Sequence, residues 1–508
     1  MDKFFTRINN PLLRRIIRLL PGDEPVYLVG GAIRDALINR PNYDLDFVIP
    51  GNAMKLARKV ADELGAAYFP LDTHRNIARL ILETELVHTD PYGVPRRVDF
   101  STYQGADLID DLQGRDFTIN ALAIEIHHLN TLIDPLGGAS DLAKKHLKAC
   151  SKNSIVNDPV RILRAIRFSV ELELRIHPET LSLIRQSVDL LPEVSSERLR
   201  DELFRILEQS NPNISLRILE KLNALRYILP ELGELKDIQQ SPPHIMDAWE
   251  HTLDVLVQLE KIFEVLASEY DPNRAGNLAM GLTAVHLGRY RPQLMDHFKK
   301  SLNPDRPQRG VLFLAGIYHD VGKANAQKTD ENGKIRFIDH EQIGSKLVEK
   351  RGKALKLSNL EIERLMTIIK NHMRLSLLSQ SAELPSKKTV SRFFRDTGEA
   401  GVDICILSMA DILATYGPTL PQDRWIRHLA VIRELLNAWW EDRTERIYPT
   451  PLLNGDDLME ALDVSPGPIV GYLLEAISEA QIMGEIRNQQ EAIRLAKKLS
   501  KEKKVKTG

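Results

Sequence analysis

Cysteine is scarce in this sequence: Cys150 and Cys405 are the only two among 508 residues, and they lie far apart along the chain. The sequence therefore predicts neither a disulfide framework nor a cysteine-based zinc site, and it suits a reducing compartment. Long apolar runs are also missing, since no stretch approaches the roughly 20 residues that a membrane-spanning helix needs. Residues 1–20 are interrupted by arginines and lack the apolar core of a secretory signal. We predict a cytoplasmic protein that does not enter a membrane.

An excess of charge of either sign is missing as well. The chain has 68 basic and 70 acidic residues, which give a formal net charge of −2. This balance excludes a protein that binds nucleic acid through an overall basic surface, so any contact with RNA must come from local patches. The sequence contains no short internal repeat and no low-complexity tract. Its length predicts roughly three domains.

The first informative stretch runs from Leu28 to Asp35 and reads Leu-Val-Gly-Gly-Ala-Ile-Arg-Asp. The apolar run from Val26 to Val29 predicts a buried strand, and a helix is expected just after Gly30 and Gly31. Glycines let backbone N–H groups approach a ligand closely, and the start of a helix favours an anion. Arg34 adds a positive charge for the same anion. This stretch therefore predicts a phosphate-binding site.

A second strand is predicted from Leu45 to Ile49, with Asp44 and Asp46 two residues apart and hence on one face of it. Two neighbouring carboxylates repel each other unless a cation lies between them, and carboxylate oxygens suit Mg²⁺. A glycine pair alone is usually a turn, and an Asp-x-Asp alone is usually solvated surface. A phosphate site followed by a magnesium pair, in contrast, is typical of phosphoryl or nucleotidyl transfer.

These two motifs, in this order, resemble the head of the nucleotidyltransferase superfamily, specifically the bacterial-type CCA-adding enzymes and poly(A) polymerases. The resemblance extends from about residue 24 to about residue 499. It implies an α/β head with a short mixed sheet, an all-α neck and body, an all-α HD domain and a helical C-terminal segment. The expected boundaries are 1–25 for an N-terminal helical extension, 26–150 for the nucleotidyltransferase head, 151–240 for the neck and body that recognise RNA and base, 241–420 for the HD phosphohydrolase domain and 421–508 for the C-terminal segment.

The resemblance implies further site residues in the head. The family carries a third carboxylate on a strand such as residues 97–100, which assigns this role to Asp99, with Glu85 and Asp90 as rivals. Three carboxylates would help to hold two metal ions.

The stretch from Gly114 to Leu122 is similar to the family's Arg-Arg-Asp-Phe-Thr-x-Asn-Ala, with Gly114 in place of the first arginine. The resemblance places Arg115 near the triphosphate. It also implies that Asp116 and Asn120 contact the ribose and the phosphates. Capping of a helix by Asp116 is a compatible structural role.

A second informative stretch follows at residues 157–168. Asp158 is predicted to be the N-cap of a helix, and Arg161, Arg164 and Arg167 recur every three residues along one side, as a solvated face or a polyanion contact. The stretch resembles the family's Glu-Asp-x-x-Arg element, a protein template for the incoming base, with Asn157 in place of Glu. An ionised aspartate only accepts hydrogen bonds and an arginine only donates them. Such a pair matches the amine and ring nitrogen of adenine and cytosine, and it leaves unpaired groups against guanine and uracil. The charges of the following segment, residues 194–203, are predicted to be surface.

A different constellation begins after a linker at residues 239–243, where histidines and aspartates recur in the order His, His-Asp, His, His, Asp. A lone histidine on a helix is usually a core or surface residue, but this ordered set favours a metal site. Imidazole with carboxylate suits Mn²⁺, Fe²⁺, Ni²⁺ or Mg²⁺ rather than a structural zinc cage. The set resembles the HD phosphohydrolase superfamily.

That resemblance assigns the ligands of the primary metal to His251, His319, Asp320 and Asp411. It adds His340 and His372 as further positions that only some members use, and it places Lys323 near the substrate phosphate. In tRNA nucleotidyltransferases that carry this domain, it implies metal-dependent phosphatase and 2′,3′-cyclic phosphodiesterase activity. His244 lies close to the set and has no assigned role.

Together these features predict a template-independent nucleotidyltransferase that adds CCA to the 3′ end of tRNA from CTP and ATP, with Mg²⁺ in the head. Close alternatives are a poly(A) polymerase and a partial enzyme that adds only CC or only A. More distant alternatives are an HD phosphohydrolase with an RNA-binding head and a non-catalytic RNA-binding scaffold. The sequence does not give the oligomeric state.

Overall fold

The computed structural model describes residues 8, 11–20, 22, 24–42, 44–82, 97–267, 276–303, 306–331 and 333–506, with side chains to residue 502. The chain forms two compact units. The first comprises Met1–Glu202 and Ile218–Tyr227, and the second comprises Leu203–Arg217 and Ile228–Gly508. The five segments expected from the sequence stay a prediction at the level of their boundaries.

The first unit contains a mixed sheet of seven strands in the order β3-β4-β5-β2-β1-β6-β7. Strands β2 and β5 are parallel, and every other neighbouring pair is antiparallel. The predicted α/β head with a mixed sheet is therefore confirmed. The strands are β1 Tyr27–Val29, β2 Asp44–Ile49, β3 Ala67–Asp72, β4 Ile77–Ile81, β5 Arg97–Thr102, β6 Ala123–Glu125 and β7 Leu132–Ile133.

The two faces of the central strand β2 differ in burial, since one is buried throughout and the other becomes exposed towards Asp44. Leu45 and Phe47 lie in the main hydrophobic core of the unit. On the opposite face, Val48 packs in a smaller apolar cluster, and Asp44 and Asp46 share that face because side chains alternate along a strand. The predicted placement of both acids on one face is confirmed.

Helices cover this sheet and follow the patterns expected from the sequence. The apolar spacing of residues 53–64, with Gly65 after them, predicts a helix, and the structure has the helix Ala53–Leu64. Asn52 caps its start, and Gly65 ends it in a left-handed conformation with φ of 66°. The N-terminal helix packs Leu12, Leu13 and Ile16 inward, as an amphipathic helix should. The helices of this part of the chain are Pro11–Leu19, Gly31–Leu37, Ala53–Leu64, Leu108–Gly114 and Gly138–Ala143.

Residues 146–240 are mainly helical, as predicted, with one short pair of strands, His146–Leu147 and Arg175–Ile176. The helices are Ser154–Asn157, Arg161–Glu171, Pro178–Ser187, Ser196–Glu208, Pro212–Lys221 and Leu225–Ile228, with 3₁₀ turns at Val188–Glu193 and Pro230–Leu235.

The predicted N-cap role of Asp158 is wrong. Asp158 ends the short helix Ser154–Asn157, and the next helix begins at Arg161 with Val160 at its cap position. A residue before proline is pushed out of the helical region, and Asp158 accordingly has φ of −152° and ψ of 88°. The carboxylate is thus free of the helix start and bonds elsewhere.

The described part of the second unit is helical apart from two small hairpins, Ser301–Asn303 with Arg306–Pro307 and Gln327–Thr329 with Ile335–Phe337. The all-α character predicted for the HD domain and for the C-terminal segment is confirmed apart from these hairpins. The helices are Ala248–Val265, Leu278–Leu287, Arg291–Lys299, Gln308–Tyr318, Lys323–Ala326, His340–Ala354, Asn359–Asn371, Met373–Leu378, Lys387–Thr397, Ala400–Tyr416, Gln422–Trp440, Arg443–Arg446, Gly455–Leu462, Pro468–Met483 and Gln489–Lys506.

Among the described residues, one helical stretch is long and apolar enough to cross a membrane. It runs from Ala400 to Thr419, and 83% of its most apolar window is buried inside the fold. A mostly buried stretch of this kind is the pattern of a core helix, and this one carries Asp403 and Asp411 in its interior.

Candidate active sites

The first site forms at Gly30, which directly follows β1 and precedes the helix Gly31–Leu37. Gly30 has φ of 75° and ψ of −130°, a conformation that favours glycine. A Cβ atom there would lie 3.2 Å from Nη1 of Arg115 and 3.7 Å from Oδ2 of Asp46. The absence of a side chain at Gly30 therefore keeps open the space between a guanidinium and a carboxylate. The structure brings together Gly30, Asp46 and Arg115, as the sequence predicted.

Carboxylates accumulate on the face of β2 and β5 beside Gly30. The parallel register sets Asp46 opposite Asp99, and Asp44 lies two residues away on β2. Burial and the negative charge of Asp99 raise the pKa of Asp46 to about 6, with Asp44 acting in the same sense and Arg115 and Arg79 opposing. A divalent cation would relieve this repulsion, so the donor set fits the predicted Mg²⁺.

Asp99 has a partner that the sequence did not reveal. Arg79 on β4 donates two hydrogen bonds to its carboxylate, at 2.9 and 2.8 Å. Asp99 is thus a charged neighbour of Asp46 that is itself held by an arginine, and direct metal coordination by Asp99 stays a prediction. Its rivals Glu85 and Asp90 lie outside the described residues.

The raised pKa of Asp46 predicts a pH-dependent metal requirement. A proton competes with Mg²⁺ for this carboxylate, so below pH 6 the metal concentration for half-saturation should rise about tenfold per pH unit, and above pH 7 it should be flat. Mn²⁺ binding to an Asp320→Ala variant, followed by electron paramagnetic resonance without nucleotide, measures this. Equal affinity at pH 5 and pH 7.5 would contradict the assigned environment of Asp46.

A network of buried hydrogen bonds connects the helix after Gly30 with the helices beyond residue 160. Arg34 donates to Asp35 at 2.8 Å and to Oδ1 of Asn120 at 2.6 Å. The amide of Asn120 donates to Asp116 at 3.0 Å, and Arg164 donates to the other oxygen of Asp116 at 2.9 and 2.6 Å. This network therefore connects four residues that were predicted to contact nucleotide or another polyanion, namely Arg34, Asp116, Asn120 and Arg164.

Glu202 is the last residue of this hydrogen-bond network. It is 4% exposed and accepts hydrogen bonds from Arg164 at 3.3 Å and from Arg167 at 3.0 Å. Arg167 also bonds Glu171 at 3.0 Å and lies over the ring of Phe168. The expectation that the charges of residues 194–203 are surface is therefore wrong for Glu202, whose neutralisation by two arginines makes its burial possible.

The guanidinium groups of Arg34, Arg164 and Arg167 are thus engaged by protein carboxylates or amides. In this structure these three residues hold the site together, and direct contact with nucleotide stays a prediction for them. Arg115 is different, because its guanidinium bonds only Asp111 among the described residues, at 3.2 and 3.1 Å, and its side chain is 24% exposed beside Gly30.

Removing the charge of Asp116 should destabilise the first unit. Burial alone would raise the pKa of Asp116, but Arg164 and the hydrogen bond from Asn120 outweigh it and lower the pKa to about 2. The Asp116→Asn change leaves Arg164 with Glu202 alone, so we expect a loss of about 3 kcal/mol in the free energy of unfolding. Urea unfolding followed by circular dichroism measures it, at pH 7.

The four tryptophans provide an internal control for this variant. Trp249, Trp425, Trp439 and Trp440 all belong to the second unit, so the urea transition seen by their fluorescence should not move. Because the lowered pKa stabilises the ionised form, the contribution of Asp116 is complete above pH 3.8 and is lost as the pH falls towards 2. An unchanged circular dichroism transition would show that the Asp116–Arg164 pair is dispensable.

Asp158 and Arg161, the predicted base-selecting pair, are adjacent but differently engaged. Arg161 donates through Nη1 to the carbonyl of Arg115 at 2.9 Å and through Nη2 to the carbonyl of Gly114 at 2.9 Å. Its Nε is 3.7 Å from the carboxylate of Asp158. That carboxylate instead accepts a hydrogen bond from Nη2 of Arg198 at 2.7 Å, a residue that the sequence did not single out.

The second site lies in the second unit, where the predicted primary-metal residues converge. His251, His319 and Asp320 are all buried, and their donor atoms lie within 4.8 Å of one another. Asp411 completes the group, with Oδ1 at 3.1 Å from Nε2 of His251. Nε2 of His319 lies 3.0 Å from Oδ2 of Asp320, and both atoms are buried. Imidazole nitrogens and carboxylate oxygens gathered this closely fit a bound cation.

The two additional histidines join the same carboxylate from its other side. Asp320, His340 and His372 form a second group of donors within 4.8 Å of one another. Burial and the nearby His319 lower the pKa of His372 to about 3, so this imidazole is neutral, as a metal ligand must be. Asp320 belongs to both groups.

Backbone carbonyls fix the orientation of three of these rings. Nδ1 of His319, His340 and His372 lies 2.8, 2.8 and 2.7 Å from the carbonyls of Gly316, Phe337 and Ile369. Donation from Nδ1–H leaves each Nε2 as the free acceptor that points into the cluster. The structure therefore brings together all six residues that the HD resemblance predicted.

A cavity of about 390 Å³ opens onto this cluster. Lys323, the predicted phosphate contact, lies at its base with Nζ 2.6 Å from Oδ2 of Asp320 and 2.6 Å from Oε1 of Gln240. Lys334, Arg336 and Arg424 also line the cavity. The cluster is thus reached through a basic opening that suits an anionic substrate.

His244, which had no role assigned from the sequence, lines the same cavity. Its ring lies 5.1 Å from that of His251. Burial and the charge of Lys323 lower its pKa to about 4, so His244 is neutral beside the cluster.

Comparison with known proteins assigns a family to each of these regions. Residues 26–148 match the Poly A polymerase head domain, and residues 173–235 match the family described as "Probable RNA and SrmB- binding site of polymerase A". Residues 248–415 match the HD domain, and residues 449–496 match tRNA nucleotidyltransferase domain 2.

Two curated relatives match almost the whole chain. The A-adding tRNA nucleotidyltransferase of Deinococcus radiodurans is 31% identical over 95% of this chain and 97% of its own length. The CC-adding tRNA nucleotidyltransferase of Geobacter sulfurreducens is 32% identical over 94% of this chain and 93% of its own length.

Solved structures share the fold. The complex of a CCA-adding enzyme with ATP has a TM-score of 0.59 at 22% identity, over 97% of both chains. The Thermotoga maritima CCA-adding enzyme in complex with tRNA has a TM-score of 0.54, also at 22% identity and 97% of both chains. The chain matches the models of the head and of the HD domain, and it is 31–32% identical to curated relatives over nearly their whole length. It therefore belongs to the bacterial-type tRNA nucleotidyltransferase family that carries an HD domain.

Proposed function

We propose that this protein adds nucleotides of the CCA sequence to the 3′ end of tRNA, from CTP and ATP, in the cytoplasm. The observation that carries the proposal is the group of Asp44, Asp46 and Asp99 beside Gly30, in which burial of Asp46 and the negative charges of Asp99 and Asp44 raise the pKa of Asp46 to about 6. A divalent cation between these carboxylates would stabilise the ionised form of Asp46. Relatives of nearly the same length that are named for adding A or CC to tRNA support the substrate.

In this proposal Asp44 and Asp46 would hold Mg²⁺, with Asp99 as a charged neighbour. Bound Mg²⁺ would promote ionisation of the RNA 3′-hydroxyl and neutralise the triphosphate. Gly30 and Gly31 leave room for the phosphates, and Arg115 faces them. The 3′-oxygen attacks the α-phosphorus in line, and pyrophosphate leaves. The side chains act by positioning and electrostatics, without a covalent intermediate. The tRNA is held by shape and phosphate contacts.

The proposal leaves two candidates, which differ in how many nucleotides the protein adds. A partial enzyme that adds only CC or only A is the second candidate, because four relatives that match over 90% of the chain carry such a name. Purified protein is incubated with tRNA that ends at the discriminator base, at C or at CC, with labelled CTP, ATP or both. Completion to CCA and a stop supports full addition, and a stop after CC or growth only from CC supports the partial enzyme. Unlimited A addition to any RNA would overturn both in favour of a poly(A) polymerase.

For the second unit we propose metal-dependent hydrolysis of phosphate monoesters or 2′,3′-cyclic phosphates, with Mn²⁺, Fe²⁺, Ni²⁺ or Mg²⁺ as the metal. The two groups of buried histidine and aspartate donors that share Asp320, and the cavity with basic lining residues that opens onto them, support it. Lys323 would hold the substrate phosphate at the base of the cavity. Release of phosphate from a nucleoside 2′-phosphate, and ring opening of 2′,3′-cyclic AMP, each with and without added metal, test the two activities.

A further inference from the structure

The cationic side chains that line the cavity of the HD cluster differ in whether an acid holds them. Lys323 lies 2.6 Å from Asp320, and Arg336 donates to Asp330 at 2.8 Å. The other two form no ion pair within the part of the chain that the structure describes. These two are Lys334 and Arg424. The cavity therefore carries positive charge that no acid of the described chain pairs with.

Arg424 is held in place by an aromatic ring. Its guanidinium lies 4.9 Å from the centroid of the Tyr416 ring, which is within the range of a cation–π contact. The side chain of Arg424 is half-buried, and it donates no hydrogen bond to any described residue. Stacking fixes the plane of a guanidinium and leaves the N–H donors at its edge available. Arg424 is thus preorganised to bind a phosphate through two parallel hydrogen bonds.

A tight turn sets Arg424 over Tyr416. Tyr416 is the last residue of the helix Ala400–Tyr416, and Arg424 lies in the first turn of the helix Gln422–Trp440. Gly417 connects them with φ of 51°, and a Cβ atom there would lie 2.5 Å from Cδ1 of Ile245. The turn therefore requires glycine for both its backbone angle and its space. Both members of the stacked pair lie outside residues 248–415, which match the HD domain.

The stacked pair lies beyond the metal cluster along the same helix. Asp411 of the cluster precedes Tyr416 by five residues, which corresponds to about 7.5 Å along the helix axis. Asp411, Tyr416 and Arg424 all line the same cavity. Lys323 cannot serve this outer position, because its Nζ is held at the cluster by Asp320. An anion at Arg424 would therefore lie about one ribose away from a phosphate at the cluster.

We propose that Arg424 forms a second phosphate subsite of the HD cavity, so that the substrate is a nucleotide with a phosphate on its 5′ side in addition to the one that is hydrolysed. The reacting 2′-phosphate or 2′,3′-cyclic phosphate lies at the cluster beside Lys323, and Arg424 donates to the 5′ phosphate. A free 5′-phosphorylated nucleotide and the 3′ end of an RNA strand both offer this group. The inference rests on the proposed hydrolysis and names the class of its substrate.

The test compares three substrates that differ only on the 5′ side. They are 2′,3′-cyclic AMP, the same compound with an added 5′-phosphate, and the dinucleotide ApA with a 2′,3′-cyclic phosphate. Ring opening by the full-length protein is measured with Mn²⁺, Fe²⁺, Ni²⁺ or Mg²⁺ in turn. A hydrogen bond to a charged group is worth about 1.5–3 kcal/mol, or roughly 10–150-fold. Because Arg424 is partly solvated, we expect the lower end, a kcat/KM about tenfold higher with the second phosphate.

Variants of the stacked pair test the assignment of this preference. Arg424→Met removes the donors but keeps an apolar stem against Tyr416, so the ratio of the kcat/KM values with and without the second phosphate should fall close to one. Arg424→Lys keeps the charge without the paired donors and should give an intermediate ratio. Tyr416→Leu should also lower the ratio, because the guanidinium loses its fixed plane.

Arg443 offers a matched control in the same unit. Its guanidinium lies 4.0 Å from the centroid of the Trp439 ring, and its exposed side chain donates no hydrogen bond to any described residue. It does not line the cavity. Arg443→Met should therefore leave all three kcat/KM values and their ratio unchanged.

The outcomes separate the two levels of the proposal. If the wild-type protein opens none of the three rings with any of the metals, the proposed hydrolysis is wrong and the inference falls with it. Equal kcat/KM for all three substrates, or an unchanged ratio in a folded Arg424→Met protein, overturns the inference alone. Preference for both substrates with a second phosphate supports the subsite, and preference for the dinucleotide alone supports it with an RNA end as the substrate. Loss of the ratio in Lys334→Met with retention in Arg424→Met would move the subsite to Lys334.

Discussion

Replacement of Asp46 by Asn is expected to abolish nucleotide addition and to leave hydrolysis by the HD cluster unchanged. Asp46 lies at the centre of the carboxylate group beside Gly30, and an amide there removes one charge and one proposed metal ligand. Loss of a single preorganised electrostatic contact costs about 10²–10³-fold in rate, so loss of a metal ligand should cost at least about 10³-fold. Incorporation of labelled CMP into tRNA measures the effect.

Two further variants serve as a second test and as a control. Asp44→Ala should have the same phenotype, because Asp44 shares the face of β2 with Asp46. Asp62→Asn should be silent, since Asp62 is 61% exposed on the helix Ala53–Leu64 and pairs only with Arg58 among the described residues. An Asp46→Asn protein that folds and still adds CMP at the wild-type rate would remove the head site from the account.

The second large effect is expected at Asp320, the residue that both metal groups share. Asp320→Asn should eliminate hydrolysis and lower bound metal, while addition to tRNA continues. A residue that only supports a ligand typically costs about 10–100-fold in metal affinity or activity, so loss of this shared carboxylate should exceed that range. Phosphate release and the metal content by mass spectrometry are the measurements.

Asp456→Asn provides the control for the second unit, since Asp456 is exposed in the first turn of the helix Gly455–Leu462. It should keep both hydrolysis and metal content. If Asp320→Asn lost addition and hydrolysis together in a folded protein, the assignment of two independent sites would fail.

The parts of the head that could be predicted are those with a local sequence signature. A strand of period two fixes which side of β2 carries Asp44 and Asp46, and the Gly30-Gly31 pair marks the end of β1. The helix Ala53–Leu64 was predictable from its spacing and from Gly65. Similarly, the order of histidines and aspartates identified the cluster around Asp320, because metal ligands are limited to few residue types.

The partners of these residues could not be predicted in the same way. Arg79 lies 20 residues from Asp99, and Arg198 lies 40 residues from Asp158. An ion pair across such a separation has no local pattern, and charged residues on a predicted helix are usually solvated. For this reason Glu202 was expected at the surface, although two arginines hold it in the interior.

The error at Asp158 has a local cause. Aspartate followed by proline is a frequent start of a helix, and that statistic gave the prediction of an N-cap. In this chain the proline instead keeps Asp158 extended at the end of the preceding helix, with Oδ1 unpartnered and Oδ2 bonded to Arg198.

The most direct test of the central claim is a crystal structure with Mn²⁺ and a non-hydrolysable CTP analogue, with anomalous scattering to locate the metal. The account predicts an anomalous peak at the carboxylates of Asp44 and Asp46, with the triphosphate against Gly30 and Gly31 and near Arg115. Metal and triphosphate bound elsewhere, with Asp44 and Asp46 turned apart, would contradict it.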